Sequence, residues 1–231
     1  MIIKSFGCSF VFGSELADDG KIGRYATGSQ LTWPALIAQH YGYQYNTYAR
    51  PGAGNLQILE RLISHLADPI NKNIFCVIAW TWIDRFDYYR GGLEWPGNYW
   101  KTLLPIDQSN PAQNYYKDLH SEFQDKLLSL IYISQAIDIL KSKSIPFVMT
   151  YMDHLLFDNR WNVTPAVTEL QNYVKPYMTT FEGLNFQEWS RQNNCLISEI
   201  GHPLEHAHQL AAHYIIKALD TKSIGVHCHL S

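Results

Sequence analysis

The feature that most constrains the fold is an apolar segment in the first half of the chain, NIFCVIAW at residues 73–80. A run of this length without charged residues is typical of a central parallel strand, because helices cover both faces of such a strand. Further strands are predicted at residues 2–6, 43–49 and 145–152. Apolar residues recur at helical spacing between and after these segments, which predicts helices at residues 31–42, 56–66, 122–143 and 205–219.

Alternation of strands and helices predicts an α/β protein with three layers, in which helices cover both faces of a parallel, flavodoxin-like sheet. A chain of 231 residues is long enough for one domain with a buried core and short for two. We therefore expect a single domain over residues 1–231, with an aromatic-rich insertion around residues 84–120. Functional groups of such sheets collect at the carboxyl ends of the strands.

Composition excludes several classes of protein. The formal net charge is −3 and no block of like charges occurs, which argues against nucleic-acid binding. No stretch approaches the roughly 20 apolar residues of a membrane span, and the first ten residues lack the pattern of a signal peptide. The four cysteines are scattered without a metal or disulfide pattern, which favours a reducing compartment. We expect a cytoplasmic protein.

A serine directly follows the first predicted strand, in the segment GCSF at residues 7–10. In a turn between a strand and a helix, the hydroxyl of Ser9 would lie at the rim of the sheet, where backbone N–H groups can stabilise an oxyanion. The same pattern also fits a serine that only caps a helix.

A glycine-rich turn, RPGAGN at residues 50–55, follows the second predicted strand. Its glycines allow a ligand to approach the backbone closely. Asn55 can cap the next helix or donate a hydrogen bond to a substrate oxygen. An ordinary turn with an asparagine cap is the other interpretation.

Near the C-terminus, the segment SEIGHP at residues 198–203 precedes the last predicted helix. Glu199, three positions before His202, can accept a hydrogen bond from one ring nitrogen and leave the other free to act as a base. The other interpretation is a surface histidine, since the chain has ten.

Taken in this order, the three segments resemble the blocks of the SGNH/GDSL hydrolase superfamily. Residues 7–9 match its Gly-Asp-Ser block with Cys8 in place of aspartate, and residues 199–203 match its Asp-x-x-His block with Glu199 in place of aspartate. The resemblance implies that Ser9 is the nucleophile, His202 the base and Glu199 the acid. It also implies that the N–H groups of Ser9 and Gly52 form the oxyanion hole.

The chain departs from this pattern in the third block, where the family has Gly-x-Asn-Asp. The corresponding stretch, AWTWIDR at residues 79–85, contains no asparagine. Thr81, the indole N–H of Trp82 or Asn55 is each a candidate for the missing oxyanion donor.

Aromatic residues are concentrated from Trp80 onward. Together with the charges of Asp84 and Arg85, Trp80 and Trp82 would suit a sugar ring, which stacks on aromatic faces and forms hydrogen bonds at its edges. The other interpretation is a hydrophobic cluster under a long loop. Asp84 and Arg85 form either a local ion pair or a substrate clamp.

These features predict a serine esterase or deacylase that cleaves a small or carbohydrate-borne ester, such as an O-acetyl ester, without metal or organic cofactor. We expect a small-molecule or carbohydrate partner, and neither a nucleic acid nor a membrane. An acyltransferase, or a carbohydrate-binding protein that has lost efficient catalysis, is the alternative. We interpret the helix histidines His206, His208 and His213 as a solvated face, and residues 227–229 as a terminal tail.

Overall fold

The computed structural model describes residues 1–18, 28–67, 73–90 and 100–221. Its strands are β1 (Ile2–Phe6), β2 (Gln44–Thr47), β3 (Ile74–Trp80), β4 (Phe86–Tyr89), β5 (Trp100–Leu103) and β6 (Phe147–Tyr151). Four of them form one parallel sheet in the order β2-β1-β3-β6. The predicted parallel sheet is therefore confirmed.

Eight α-helices occur among the described residues: α1 (Ser9–Phe12), α2 (Trp33–His40), α3 (Asn55–Leu66), α4 (Asn110–Asp118), α5 (Glu122–Ser142), α6 (Pro165–Val174), α7 (Phe186–Gln192) and α8 (Glu205–Asp220). Local chemistry sets several of their starts. Ser121 and Asn185 accept backbone hydrogen bonds at the starts of α5 and α7, and Pro34 lies in the first turn of α2.

Helices cover both faces of the sheet. Helices α3, α5 and α6 pack on one face, around a buried cluster that includes Ile58, Leu62 and Ile133. Helices α2 and α8 pack together on the other face, with Ile37 and Ala211 in their cluster. Strand β3 is buried along its whole length, as expected for a central strand. The predicted three-layer α/β/α fold is confirmed.

The segment after β3 is more regular than its sequence indicates. Strands β4 and β5 form an antiparallel hairpin, and α4 follows it, while residues 91–99 lie outside the described part of the chain. The sequence predicts no regular element here because each strand has only four residues. Helices α1 and α6 were also not predicted; α1 is a single turn, too short to show periodicity.

Within the described ranges, no helix combines the length and the apolar character needed to cross a lipid bilayer.

Candidate active site

Ser9 lies where β1 ends and α1 begins, at the carboxyl edge of the sheet. The turn is held by backbone hydrogen bonds from Val11 and Phe12 to the Cys8 carbonyl and from Gly13 to the Ser9 carbonyl. The Ser9 side chain is largely buried, with 8% of the residue exposed. Its Oγ lies 2.8 Å from Nε2 of His202, although the two residues are 193 positions apart in the chain. The fold thus brings together the two residues that the sequence pairs.

The loop that carries His202 is a short hairpin. Ile197 and Pro203 form an antiparallel bridge, and the N–H of Ser198 donates to the His202 carbonyl at 2.8 Å. In return, the N–H of His202 donates to Ser198 Oγ at 3.0 Å. Phe10 packs against the imidazole with 5.2 Å between ring centroids. Backbone and ring contacts together fix the orientation of the imidazole.

The carboxylate at the other ring nitrogen belongs to Glu15 and not to Glu199. Glu15 Oε2 lies 2.6 Å from His202 Nδ1, and the Ser198 hydroxyl donates to the same oxygen at 2.5 Å. The hydrogen bond from Ser198 holds the pKa of Glu15 below its ordinary value, and the contact with His202 acts in the same direction. The expected pairing of Glu199 with His202 is therefore wrong in this geometry. Glu199 lies at the solvent-exposed tip of the hairpin, next to Ile200, which is 73% exposed.

Glu15 reaches the histidine because α1 is only one turn long. The backbone of Glu15 has a φ of +69°, in the left-handed region that non-glycine residues rarely adopt. Two residues later the N–H of Ala17 donates to Glu205 at the start of α8, at 2.8 Å. One signal in the sequence points to Glu15: it is a carboxylate six positions after Ser9, just past a possible helix stop at Gly13.

The glycine-rich turn lies beside the serine turn. The N–H of Arg50 donates to the Gly7 carbonyl at 3.0 Å, which holds the two turns together. Gly52 has a φ of +77°, and a Cβ added there would meet nothing within 4 Å, so its surroundings are open. Within the described ranges, no protein acceptor contacts the N–H of Ser9 or of Gly52. Both are therefore free to donate to an oxyanion.

Two other candidate oxyanion donors are not placed for that role. Asn55 is buried, and its amide nitrogen already donates to the Thr81 carbonyl at 3.4 Å and to Ser129 Oγ at 3.1 Å. Its amide oxygen accepts from the Thr81 N–H at 2.9 Å. Thr81 is 0% exposed, and its hydroxyl has no hydrogen-bond partner in the described part of the chain. Asn55 therefore links the end of β3 and the start of α3 to α5, and the side chains of Asn55 and Thr81 are both buried.

The four predicted substrate-binding residues have different surroundings. Trp80 is 0% exposed and its indole N–H donates to the sulfur of Met149, so its expected contact with substrate is wrong. Trp82 is half-buried, with its ring 5.6 Å from Phe10, which in turn packs on the histidine. One aromatic ring, Phe10, therefore separates the partly exposed Trp82 from His202.

Arg85 packs on the Trp82 ring. Its guanidinium lies 4.8 Å from the Trp82 ring centre and donates to the Ala53 carbonyl at 3.0 Å, next to Gly52. Asp84 is half-buried; burial raises the pKa of its carboxyl group, and the charge of Asp153 adds to the effect. Among the described residues, no ion pair joins Asp84 to Arg85.

The histidines of α8 do not form one face. His206 and His213 are exposed, as predicted, but His208 is buried and accepts a hydrogen bond from the Trp33 N–H at 3.1 Å, contrary to the predicted solvated position. No group of three or more metal-ligating side chains was found among the described residues, and residues 227–229 lie outside them.

Comparisons with known proteins give structural but not sequence relatives. No protein-family model matches the chain, and no curated protein matches it. Among solved structures, the esterase EstA from Pseudoalteromonas sp. aligns over 95% of this chain and 97% of its own, with a TM-score of 0.52 and 10% identity. The protein TesA aligns over 96% and 99%, with a TM-score of 0.53 and 13% identity.

A carbohydrate esterase family 2 enzyme from Corynascus thermopiles also aligns, with a TM-score of 0.51 and 14% identity. The alignment covers 95% of this chain and 65% of that larger protein, which also contains a carbohydrate-binding domain. Identities this low establish the fold alone. With its parallel sheet between two helical layers, the chain has the three-layer fold of the SGNH/GDSL hydrolases.

Proposed function

We propose that the protein is a serine esterase or deacylase that cleaves a small or carbohydrate-borne ester, such as an O-acetyl ester. The observation that carries the proposal is the 2.8 Å contact between Ser9 Oγ and His202 Nε2. A serine hydroxyl is a weak nucleophile until an adjacent base takes its proton. The structural neighbours named as esterases support the proposal, because they share this fold.

In the first half of the reaction, Ser9 Oγ bonds to the carbonyl carbon of the ester while its proton passes to His202 Nε2. The N–H groups of Ser9 and Gly52 stabilise the negative charge that forms on the carbonyl oxygen. The bond to the alcohol then breaks, and the proton on Nε2 moves to the departing alcohol oxygen. An acyl group remains on Ser9.

In the second half, water attacks the acyl group and gives a proton to His202 Nε2. The bond to Ser9 Oγ breaks, the carboxylic acid leaves, and the proton returns from Nε2 to the serine oxygen. Every proton transfer uses the same ring nitrogen, so the chemistry requires no metal and no organic cofactor.

The partly exposed pair of Trp82 and Arg85, which packs beside the buried Phe10 ring, supports a carbohydrate-borne ester. An aromatic face packs on the apolar face of a sugar ring, and a guanidinium beside it donates hydrogen bonds to hydroxyl oxygens. The neighbour named as a carbohydrate esterase agrees with this assignment.

One observation favours a second candidate, a carbohydrate-binding protein with weak catalysis. Because the Asn55 amide is engaged and Thr81 is buried, the backbone N–H groups of Ser9 and Gly52 remain as oxyanion donors, with the Trp82 indole N–H as the remaining side-chain candidate. Loss of one such donor costs about 10²–10³-fold in rate where it has been measured. A slow enzyme and a binding protein therefore differ in turnover and not in architecture.

Hydrolysis of p-nitrophenyl acetate by the wild type and by Ser9→Ala tests the proposal. We expect the variant to lose about 10³-fold or more of kcat, because it has no nucleophile. A fluorophosphonate probe should label the wild type and leave Ser9→Ala unlabelled. Ser134→Ala is a matched control, since that hydroxyl is also buried but only bonds to the Ile131 carbonyl within α5.

Equal rates in the wild type and Ser9→Ala, together with an unlabelled wild type, would contradict the esterase. If both proteins also bound a xylan or acetylated sugar with the same affinity, the binding protein would be the correct function.

A further inference from the structure

The sequence pattern and the structure indicate different carboxylates as the partner of His202. The pattern indicates Glu199, whereas the imidazole contacts Glu15. Glu199 occupies the position of the family's aspartate, but the hydrogen bond from the Gly201 N–H to the Ser198 carbonyl, at 3.0 Å, closes a tight turn around it. That turn places the Glu199 side chain in solvent. A carboxylate there would have to displace the hairpin to reach the ring.

Glu15 reaches the His202 ring from the turn after α1. Three contacts between residues 15–17 and residues 198–205 hold it there. These are its own contact with His202, the hydrogen bond from Ser198, and the hydrogen bond between Ala17 and Glu205. The left-handed backbone of Glu15 is a conformation that costs free energy and persists where surrounding contacts maintain it.

Proton positions follow from these contacts. For Ser9 to donate to Nε2, the neutral imidazole must carry its proton on Nδ1, since a neutral ring has one donor and one acceptor nitrogen. That proton then points to Glu15 Oε2 at 2.6 Å. The hydroxyl of Ser198 donates to the same oxygen and accepts from the His202 N–H, so it connects the carboxylate to the backbone of the histidine.

We infer that Glu15 is the positioning carboxylate of the site and that Ser198 holds it against His202, while Glu199 takes no part in the reaction. The nucleophile Ser9 and the positioning acid Glu15 then lie on one short segment. The histidine loop supplies the imidazole of His202 and the hydroxyl of Ser198. This inference rests on the proposed ester hydrolysis, which it deepens.

The matched pair Glu15→Gln and Glu199→Gln tests the inference. Each variant removes one negative charge and keeps the size of the side chain. With p-nitrophenyl acetate, we expect Glu15→Gln to lose about 10²–10⁴-fold of kcat, as happens when a triad carboxylate becomes an amide and the wrong tautomer forms. Glu199→Gln should keep kcat within about twofold, and Ser198→Ala should show an intermediate loss. Thermal unfolding of each variant shows that it is folded.

One further measurement separates positioning from a structural effect. The low-field proton resonance of a carboxylate-bound Nδ1–H reports the contact between His202 and Glu15 directly. This resonance should disappear in Glu15→Gln and remain in Glu199→Gln.

A folded Glu15→Gln with wild-type kcat and an unchanged Nδ1–H resonance would overturn the inference, as would loss of kcat and of the resonance in Glu199→Gln. If Glu15→Gln does not fold, Glu199→Gln is compared with Glu15→Asp, which keeps the charge on a shorter side chain. The inference then requires that Glu15→Asp impairs kcat and Glu199→Gln does not. The Nδ1–H resonance can be measured whether or not the protein turns over a substrate. An inactive wild type that shows the resonance would therefore reject the esterase but keep the role of Glu15.

Discussion

Trp80 and Trp82 are two positions apart in the chain, yet only the second is partly exposed to solvent. Trp80 is the last residue of β3, where its ring is covered by the core and its N–H is used by Met149. Trp82 lies beyond the strand, where the alternation of side chains no longer applies, and packs against Phe10 and Arg85. The end of the strand separates a structural tryptophan from one that can bind a ligand.

Replacement of the Trp82 ring should weaken substrate binding more than it slows the reaction. For Trp82→Ala we expect KM for an acetylated sugar to rise about tenfold, equivalent to the loss of roughly 1.4 kcal/mol of aromatic contact, with a small change in kcat. Steady-state kinetics measure both constants.

Trp82→Phe keeps an aromatic face and should retain most of the affinity. Trp80→Phe is the matched control, because it should lower the unfolding temperature without raising KM. A higher KM in Trp80→Phe than in Trp82→Ala would show that the substrate does not bind at Trp82.

At the scale of elements, the hairpin β4–β5 supports the glycine-rich turn through one buried carboxylate. Asp87 Oδ2 accepts from the Gln57 N–H at 2.9 Å, and Oδ1 accepts from the Gly54 N–H at 3.0 Å, so the side chain caps the start of α3. The Thr102 hydroxyl of β5 also donates to Asp87, at 2.7 Å. A Cβ at Gly54 would lie 2.5 Å from the carboxylate, which explains the glycine there.

Removal of this carboxylate should loosen the turn that carries Gly52. For Asp87→Ala we expect a loss of about 2–4 kcal/mol in the free energy of unfolding, since several buried donors lose a charged acceptor. We also expect kcat to fall by about tenfold, because one oxyanion donor loses its fixed position. Urea titration and esterase kinetics measure the two effects.

Asp118→Ala is the control, since Asp118 is exposed on the last turn of the neighbouring α4. A variant Asp87→Ala with unchanged stability would show that the hairpin is not coupled to α3.

At the scale of the whole molecule, a buried histidine joins the helical layer to the loop that carries His202. His208 of α8 accepts from the backbone of Trp33 at the start of α2, and its ring bonds to the Pro203 carbonyl beside His202. Burial lowers the pKa of His208 to about 3. The folded state therefore holds this ring neutral.

This pKa predicts a loss of stability in mild acid. Between the ordinary value of 6.5 and about 3, the unfolded chain binds a proton at His208 and the folded chain does not. The contribution of His208 to the free energy of unfolding should thus be fully present above pH 6.5. Below pH 6.5 the free energy of unfolding should fall, with a slope of up to about 1.4 kcal/mol per pH unit from this group. Urea titrations between pH 7 and pH 5 measure the slope.

His208→Gln, whose amide oxygen can still accept from Trp33, should show a shallower slope over this range. His213→Gln, on an exposed position of the same helix, should keep the wild-type slope. The opposite result for the two variants would refute the assignment to His208.

The sequence by itself determined the layered architecture and the pair Ser9–His202. Apolar periodicity is a local property, and it is sufficient to place β1, β3, β6 and the long helices within a few residues. The order of the three loop segments adds the expectation that a serine and a histidine meet at one edge of the sheet. Short elements such as α1 and β4 were not predicted, because four residues are too few to show a periodic pattern of apolar side chains.

Only the tertiary structure decided which carboxylate faces the histidine and which tryptophan is partly exposed to solvent. Glu199 is the neighbour of His202 in sequence, but the hairpin turns its side chain to solvent. Glu15 is 187 positions away, and packing of the turn after α1 against the start of α8 brings it to the ring. Such contacts depend on the direction in which each loop leaves its strand, which no local pattern of residues encodes.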